Sequence, residues 1–278
     1  MGKYEEAAKT IQWASHGRRT VAFELGLSLL AVGVLPYAPK RHGDGPLEYV
    51  SNESESFENT LMDIHGTAIQ VAAGKLITCA HVLDSVKATG RPGYIQTRTL
   101  RDATVLYGHF PYQVSINYVD PRTMKENDSV DAAAVLAPVV HRADYPYEVP
   151  YIRWGNSSKL GVGDRVMVGG YPLGTRLFLA NQTHRGFIQP TFFEGIVSAV
   201  IPALKPTEVR LLQLSMPVEG GMSGGAVFDP KSGKVLGMVH CGLNRGETEM
   251  PMPFTYAIPS EVLDPFVAAI SFNTRATP

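Results

Sequence analysis

Three stretches of this sequence carry side chains that can do chemistry together. Leu76-Ile77-Thr78-Cys79-Ala80-His81 is a β-type run ending on a histidine. Ser129-Val130-Asp131-Ala132-Ala133-Ala134-Val135-Leu136 puts an aspartate at the head of an apolar strand, and Gly220-Gly221-Met222-Ser223-Gly224-Gly225 flanks a serine with glycines. Taken singly, each has an ordinary structural reading: a hydrogen-bonded histidine at a strand end, a turn or cap aspartate, a tight glycine turn. Together, in the order His, Asp, Ser, they match one of the chain orders in which a serine nucleophile, a base and an orienting carboxylate are assembled. A serine hydroxyl is a weak nucleophile at neutral pH and needs an imidazole to take its proton, a task open to His81. The imidazole must present the right tautomer and becomes cationic during attack, so a carboxylate on its far nitrogen, Asp131, orients it and stabilises the charge. Asp128 is a rival for that task, but no apolar strand follows it directly. The Gly221 and Ser223 N–H groups can receive the oxyanion that forms on an attacked carbonyl, each such donor being worth roughly 10²–10³ in rate.

The elements that must hold these groups are short β-type runs bounded by Gly, Pro, Asn and Asp, among them Thr67–Val71, Lys75–Thr78, Arg165–Val168 and Lys234–Val239. Many short strands without strand–helix alternation argue for an all-β sandwich or barrel and against a parallel α/β sheet. The proline-bearing stretch His141–Tyr151 is expected to cross between two small barrels. Leu263, Phe266, Val267 and Ile270 share a helical face, and Asp264-Pro265 supplies cap and first-turn chemistry for a short C-terminal helix. Residues 1–58 read as a separate, partly helical extension: Tyr4, Ala7, Ala8, Ile11 and Ala14 recur at helical spacing, the apolar run Val21–Leu35 reads as a helix docked on the core, and Ser51–Ser56 reads as a linker.

At this point the sequence resembles the chymotrypsin/trypsin-like serine protease superfamily and, within it, the bacterial HtrA/Deg-like branch, over about Gly66 to Val267. Thr78-Cys79-Ala80-His81 resembles the histidine motif, Asp131–Leu136 the aspartate motif and Gly221–Gly225 the nucleophile motif. Gly161–Val166, Gly169–Gly174 and Glu194–Ser198 resemble the opening of the second barrel, and Thr255–Ser260 its closing strand. The resemblance implies an all-β, two-barrel fold, with a protease domain over 59–272, a first barrel over about 59–145, a second over about 151–260 and a helix over about 261–271. It implies a serine endopeptidase working through an acyl-enzyme on Ser223. Met222 stands where secreted digestive members carry an aspartate that pairs with a newly cut N-terminus, so that activation route is not expected. No PDZ-type module is expected after Val267. By position relative to Ser223, Pro217 and Val218 fall toward the base of the specificity pocket, His240, Cys241 and Gly242 form the wall that pairs with an extended peptide, and Phe254 narrows the floor. With no acid placed there, an apolar or small side chain is expected at the cleavage site. His240 is read chiefly as a packed strand residue, with an accessory group beside the triad as the alternative reading.

Composition narrows the alternatives. With 25 Lys+Arg against 26 Asp+Glu and a net charge of −1, nothing in the overall charge favours nucleic acid or an anionic membrane surface. The apolar run Val21–Leu35 is too short for a membrane helix and contains Glu24. The two cysteines, Cys79 and Cys241, are too few for a disulfide framework and are expected to be buried structural thiols. Low cysteine use points to the cytoplasm, with export as the alternative reading of Arg18-Arg19 ahead of the apolar run. His65, His109, His141 and His184 show no metal-ligand spacing, so no metal or cofactor is expected. Two competing functions keep the same residues: an inactive protease-like scaffold, and an effector protease regulated by a partner acting through residues 1–58.

Overall fold

The computed structural model describes residues 28–34, 63–72, 75–91, 93–100, 112–118, 124–127, 129–136, 151–174, 190–205, 209–242 and 254–270; for 94–100, 112–118, 241 and 242 it describes the main chain only. Thirteen strands and two α-helices are present among them. The first unit is a seven-stranded antiparallel sheet built from β1 (Leu29–Val34), β2 (Asp63–Ala72), β3 (Lys75–Cys79), β4 (Gly93–Leu100), β5 (Tyr112–Tyr118), β6 (Met124–Asn127) and β7 (Ala132–Leu136), in the order β5-β4-β1-β2-β3-β7-β6. Helix α1 (Ala80–Ala88) leaves β3 without a loop. The second unit is a closed six-stranded barrel of β8 (Arg165–Gly170), β9 (Thr191–Ile201), β10 (Leu211–Leu214), β11 (Ala226–Phe228), β12 (Val235–Gly242) and β13 (Thr255–Pro259), in the order β10-β13-β12-β11-β8-β9. Helix α2 (Ser260–Ala269) follows β13 directly. The all-β expectation therefore holds, with one barrel closed and the first unit an ordered sheet.

The proposed boundary at residue 58 needs correcting. Leu29–Val34, expected in a docked helix of an extension, is a strand paired on one side with β2 (Leu29↔Ile69 to Val34↔Asp63) and on the other with β4 (Val32↔Ile95). Leu29, Leu30, Ala31, Val32 and Val34 are each at most 1% exposed, so both faces of the strand are covered. A strand buried on both faces reads as a continuous apolar run, which periodicity cannot tell from a buried helix. At Gly33 the register against β2 shifts, and a Cβ there would lie 1.9 Å from the Asp63 carbonyl oxygen. The helical pattern of residues 4–14, the Ser51–Ser56 linker and most of the crossing at 141–151 lie outside the described residues.

The two units share one core. Leu29, Leu30, Ile69, Ile77, Val82 and Leu83 of the first pack into the same buried cluster as Phe228, Val235, Met238 and Ile258 of the barrel and Leu263 and Val267 of α2. A second cluster, with Val166, Val168, Val197, Leu212, Leu214 and Met222, fills the barrel itself. The C-terminal helix runs from Ser260 to Ala269, close to the expected 261–271, but Asp264 is not its cap and Pro265 lies in its interior. Its start is pinned by Ser260 Oγ–H, which donates to the Gly155 carbonyl at 2.8 Å and lies 2.8 Å from Ser157 Oγ. Lys75 of β3 donates to the Ile270 carbonyl at 3.2 Å, placing a cation at the end of α2, where the helix dipole favours one.

The position of β1 yields a direct expectation. Deleting residues 1–58 removes the strand that bridges β2 and β4, so the truncated chain is expected to lack a cooperative urea unfolding transition, as followed by circular dichroism, while the full chain shows one.

Candidate active site

The site lies on the seam between sheet and barrel. Cys79 ends β3 with extended backbone (φ −72°, ψ 145°), and α1 starts at the next residue, placing His81 in its first turn. The first N–H groups of a helix have no intrahelical acceptor. Here Asp131 provides for two of them: its carbonyl accepts from Ala80 N–H at 3.2 Å and its Oδ1 from His81 N–H at 2.9 Å. The other carboxylate oxygen, Oδ2, lies 2.6 Å from His81 Nδ1. Asp131 reaches this position through a turn in which Asn127 Oδ1 accepts from both the N–H and the hydroxyl of Ser129. Its own φ is +47°, left-handed, a region that aspartate tolerates better than most residues. The apolar β7 that follows pairs with β3 in register, Cys79↔Ala132, so histidine and aspartate come off the ends of neighbouring strands.

A third group meets the same carboxylate. His240 Nδ1 is 2.8 Å from Asp131 Oδ2. In β12 the pairing with β13 jumps from Val239↔Ala257 to Cys241↔Tyr256, leaving His240 as the extra residue of a bulge. A bulge re-aims a side chain out of the alternating pattern. That is why His240, expected chiefly as a packed strand residue, takes the alternative place facing the His81–Asp131 pair. Burial of the Asp131 carboxyl opposes its ionisation, but hydrogen bonds from His240 and His81 outweigh burial and hold it well below the usual carboxylate range. Cys79 is fully buried beside them, its thiol donating to the Val239 carbonyl at 3.1 Å, and burial pushes it up to about 11. Its burial agrees with the sequence reading; the side chain of Cys241 lies outside the described residues.

Ser223 is half-buried in the loop before β11. Gly221 and Gly224 have φ of +94° and +84°, and a Cβ on them would lie 2.2 Å from the Tyr171 carbonyl oxygen and 2.0 Å from that of Thr67. Both positions therefore require glycine. The loop is joined to β2 by Thr67, whose N–H donates to the Ser223 carbonyl at 2.9 Å and whose hydroxyl donates to the Gly221 carbonyl at 2.8 Å. The same hydroxyl accepts from Tyr171 N–H at 3.1 Å. Met222, with no exposed surface, sits in the barrel core against Gly170. Within the loop the N–H groups of Met222, Gly224 and Gly225 donate to the carbonyls of Glu219, Val239 and Met222. Among the described residues, no carbonyl takes those of Gly221 and Ser223, and no hydrogen bond joins Ser223 Oγ to His81. Gly66 of β2 lies between the His81 and Ser223 segments: a Cβ there would meet the Val82 side chain and the Ser223 carbonyl oxygen.

Of the expected pocket residues, Pro217 is exposed, Val218 is half-buried against the barrel core and Phe254 is half-buried just before β13. Cys241 and Gly242 lie on the main chain of β12. Asp128, His109, His141 and His184 are outside the described residues, and His65 bonds to Ser85 instead of joining the site. His240 takes the accessory place beside the pair that was its alternative reading, whereas the part played by Thr67 has no counterpart in the sequence motifs. No local signal singles it out, since β2 also carries Asp63, His65 and Gln70.

The sequence profile of the trypsin-like peptidase domain family matches residues 66–238. The chain belongs to that family. Its fold is similar to the HtrA-type protease AlgW with decapeptide (TM-score 0.57, 16% identity, 90% of this chain and 66% of that one). It is similar also to AlgW with tripeptide (0.53, 15%, 87% and 59%) and to the crystal structure of Deg5 (0.57, 13%, 90% and 92%). The chain thus spans less than two thirds of these AlgW chains. Among curated proteins none matches this sequence. In this trypsin-like peptidase domain the Gly220–Gly225 loop is held by Thr67 and by the buried Met222.

Two substitutions test that loop. Gly224→Ala is expected to destabilise the fold by at least about 1–3 kcal/mol, because both its φ and the Thr67 carbonyl oppose a Cβ. Thr67→Val, which removes the buried hydroxyl bonded to both the Gly221 carbonyl and the Tyr171 N–H, is expected to cost about 1–3 kcal/mol. Urea midpoints at constant m-value measure both.

Proposed function

We propose that the chain is a serine endopeptidase in which Ser223 is the nucleophile, His81 the general base and acid, and Asp131 the orienting carboxylate. The observation that carries this reading is the 2.6 Å contact of His81 Nδ1 with Asp131 Oδ2, across the seam from a glycine-bounded serine. With its Nδ1 proton committed to the carboxylate, His81 keeps the Nε2 lone pair for the Ser223 hydroxyl proton. Attack of Oγ on a peptide carbonyl forms a tetrahedral intermediate, whose oxyanion takes hydrogen bonds from the Gly221 and Ser223 N–H groups. His81 then returns the proton to the departing amine, and water, activated in the same way, hydrolyses the acyl-enzyme. No hydrogen bond joins Ser223 to His81 before substrate arrives, a contact that in such enzymes often tightens only in the substrate complex.

The substrate is a polypeptide, in keeping with the peptides named in the AlgW structures. It would lie extended along β12 at Cys241 and Gly242, with an apolar or small side chain directed toward Pro217, Val218 and Phe254. The open Ser223–His81 contact also favours a second reading, a latent protease or a scaffold on the same fold that engages the serine only when a partner binds.

Labelling of the purified full chain with a fluorophosphonate probe, mapped by mass spectrometry, decides between them. The first reading expects modification at Ser223 that Ser223→Ala and His81→Ala abolish. Asp131→Asn, which keeps a side chain suited to the left-handed turn, is expected to slow labelling by about 10⁴-fold through the wrong histidine tautomer. Folded protein that stays unlabelled refutes constitutive activity.

A further inference from the structure

The catalytic reading needs one histidine on Asp131, yet the structure brings two, with a thiol beside them. The donor atoms of Cys79, His81, Asp131 and His240 all lie within 4.8 Å of one another. Asp131 Oδ2 is 2.6 Å from His81 Nδ1 and 2.8 Å from His240 Nδ1. The two imidazoles meet edge to face, with centroids 6.1 Å apart and planes at 66°. Cys79 closes the cluster from the buried side, and His81, with 45% of its side chain exposed, opens it to solvent. As a small buried group Cys79 has an ordinary packing role, and His240 has one as a second donor to Asp131. Neither role requires all four donor atoms to gather in one small sphere.

We propose that Cys79, His81, Asp131 and His240 form a binding site for a divalent transition metal, zinc foremost, whose occupancy switches the protease off. Ligand atoms of a tetrahedral zinc site stand about 3.3–3.8 Å apart, given bonds of about 2.0–2.3 Å. The present spacings straddle that range, so movements of about 1 Å or less complete the site. One thiolate, two imidazoles and one carboxylate suit zinc or its neighbours, and they do not suit magnesium or calcium, which take oxygen donors. The two negative charges of the thiolate and carboxylate balance a dication.

Loss of activity follows from proton bookkeeping. Without metal, the His81 Nδ1 proton is directed at Asp131 Oδ2, a tautomer assigned from the donor–carboxylate geometry, while His240 Nδ1 lies 2.8 Å from the same oxygen. A metal takes the Nδ1 lone pairs, so each neutral imidazole carries its proton on Nε2, and Cys79 releases its proton to solvent. The sum is M²⁺ plus one thiol giving the bound metal and one H⁺, with both histidines neutral. His81 then carries a proton on the nitrogen that must accept one from Ser223. This inhibitory consequence rests on the protease reading; metal binding itself does not.

The test uses the full chain freed of metal by chelation and titrated with Co²⁺ alone. The expected result is intense tetrahedral d–d bands and a thiolate-to-cobalt charge-transfer band at one equivalent, both displaced by Zn²⁺. Cys241→Ala should keep the charge-transfer band. Cys79→Ser should lose it, and His240→Gln should weaken binding by more than about tenfold. Because Cys79 is buried, circular dichroism establishes that each variant is folded, and His240→Gln carries the same test should Cys79→Ser fail to fold. Saturating Zn²⁺ should slow fluorophosphonate labelling of Ser223 by about 100-fold or more, reversed by EDTA. Folded wild-type chain without the charge-transfer band, or a band that survives both Cys79→Ser and His240→Gln, overturns the site. A chain that binds Co²⁺ through Cys79 but never labels at Ser223 keeps the site and refutes the protease reading; the reverse outcome keeps the protease and refutes the site.

Discussion

The carboxylate of Asp131 has two oxygens and three nitrogen partners, and the local architecture is arranged so that all three can reach it. Oδ1 satisfies an N–H at the start of α1, which fixes where that helix begins; Oδ2 meets His81 Nδ1 and His240 Nδ1. An ionised carboxylate this close to burial is tolerable only because it is so fully hydrogen-bonded. The same contacts therefore start a helix, orient an imidazole and tie strand β12 of the barrel to the first sheet. Few substitutions at position 131 could leave any of these functions intact, since even the backbone there is left-handed.

Assembly across the seam depends on β2. Thr67 uses its N–H on Ser223, its hydroxyl on Gly221 and Tyr171, and its carbonyl as acceptor for Thr78 Oγ1 at 2.6 Å. It thereby couples the strand leading to His81 with the loop holding Ser223. Buried Met222 anchors the loop from beneath by apolar contact, where a charged anchor would need a partner of its own. The glycines at 221 and 224 let the backbone pass close to Tyr171 and Thr67 carbonyls, and that close passage brings the two halves of the site together.

A zinc-sensitive reading of the Cys79–His81–Asp131–His240 cluster adds a control that uses residues already committed to orientation. Metal and catalysis would compete for one nitrogen, Nδ1 of His81, so regulation would need no movement of a domain and no added module. The bulge at His240 is the structural expense of this arrangement, because it breaks the β12–β13 ladder at one residue.

Local chemistry was legible in the sequence wherever it is encoded by neighbours in the chain. Strand alternation, the glycines around Ser223, the aspartate ahead of Ala132–Leu136 and the histidine after Thr78 each announce themselves within a few residues, and they were enough to indicate an all-β trypsin-like domain. What the tertiary structure alone decided involves pairings between distant segments. Leu29–Val34 is apolar whether helix or strand, and only the partners β2 and β4, far along the chain, make it a strand. The start of α2 at Ser260 is set by Gly155 and Ser157, about a hundred residues upstream. His240 looks like any strand histidine until a one-residue slip against β13 turns it toward Asp131, and Cys79 becomes a candidate ligand only when β3 is laid beside β12. A sequence records side-chain types and their spacing along the chain, whereas register and bulges, which decide what each side chain faces, are properties of two strands at once.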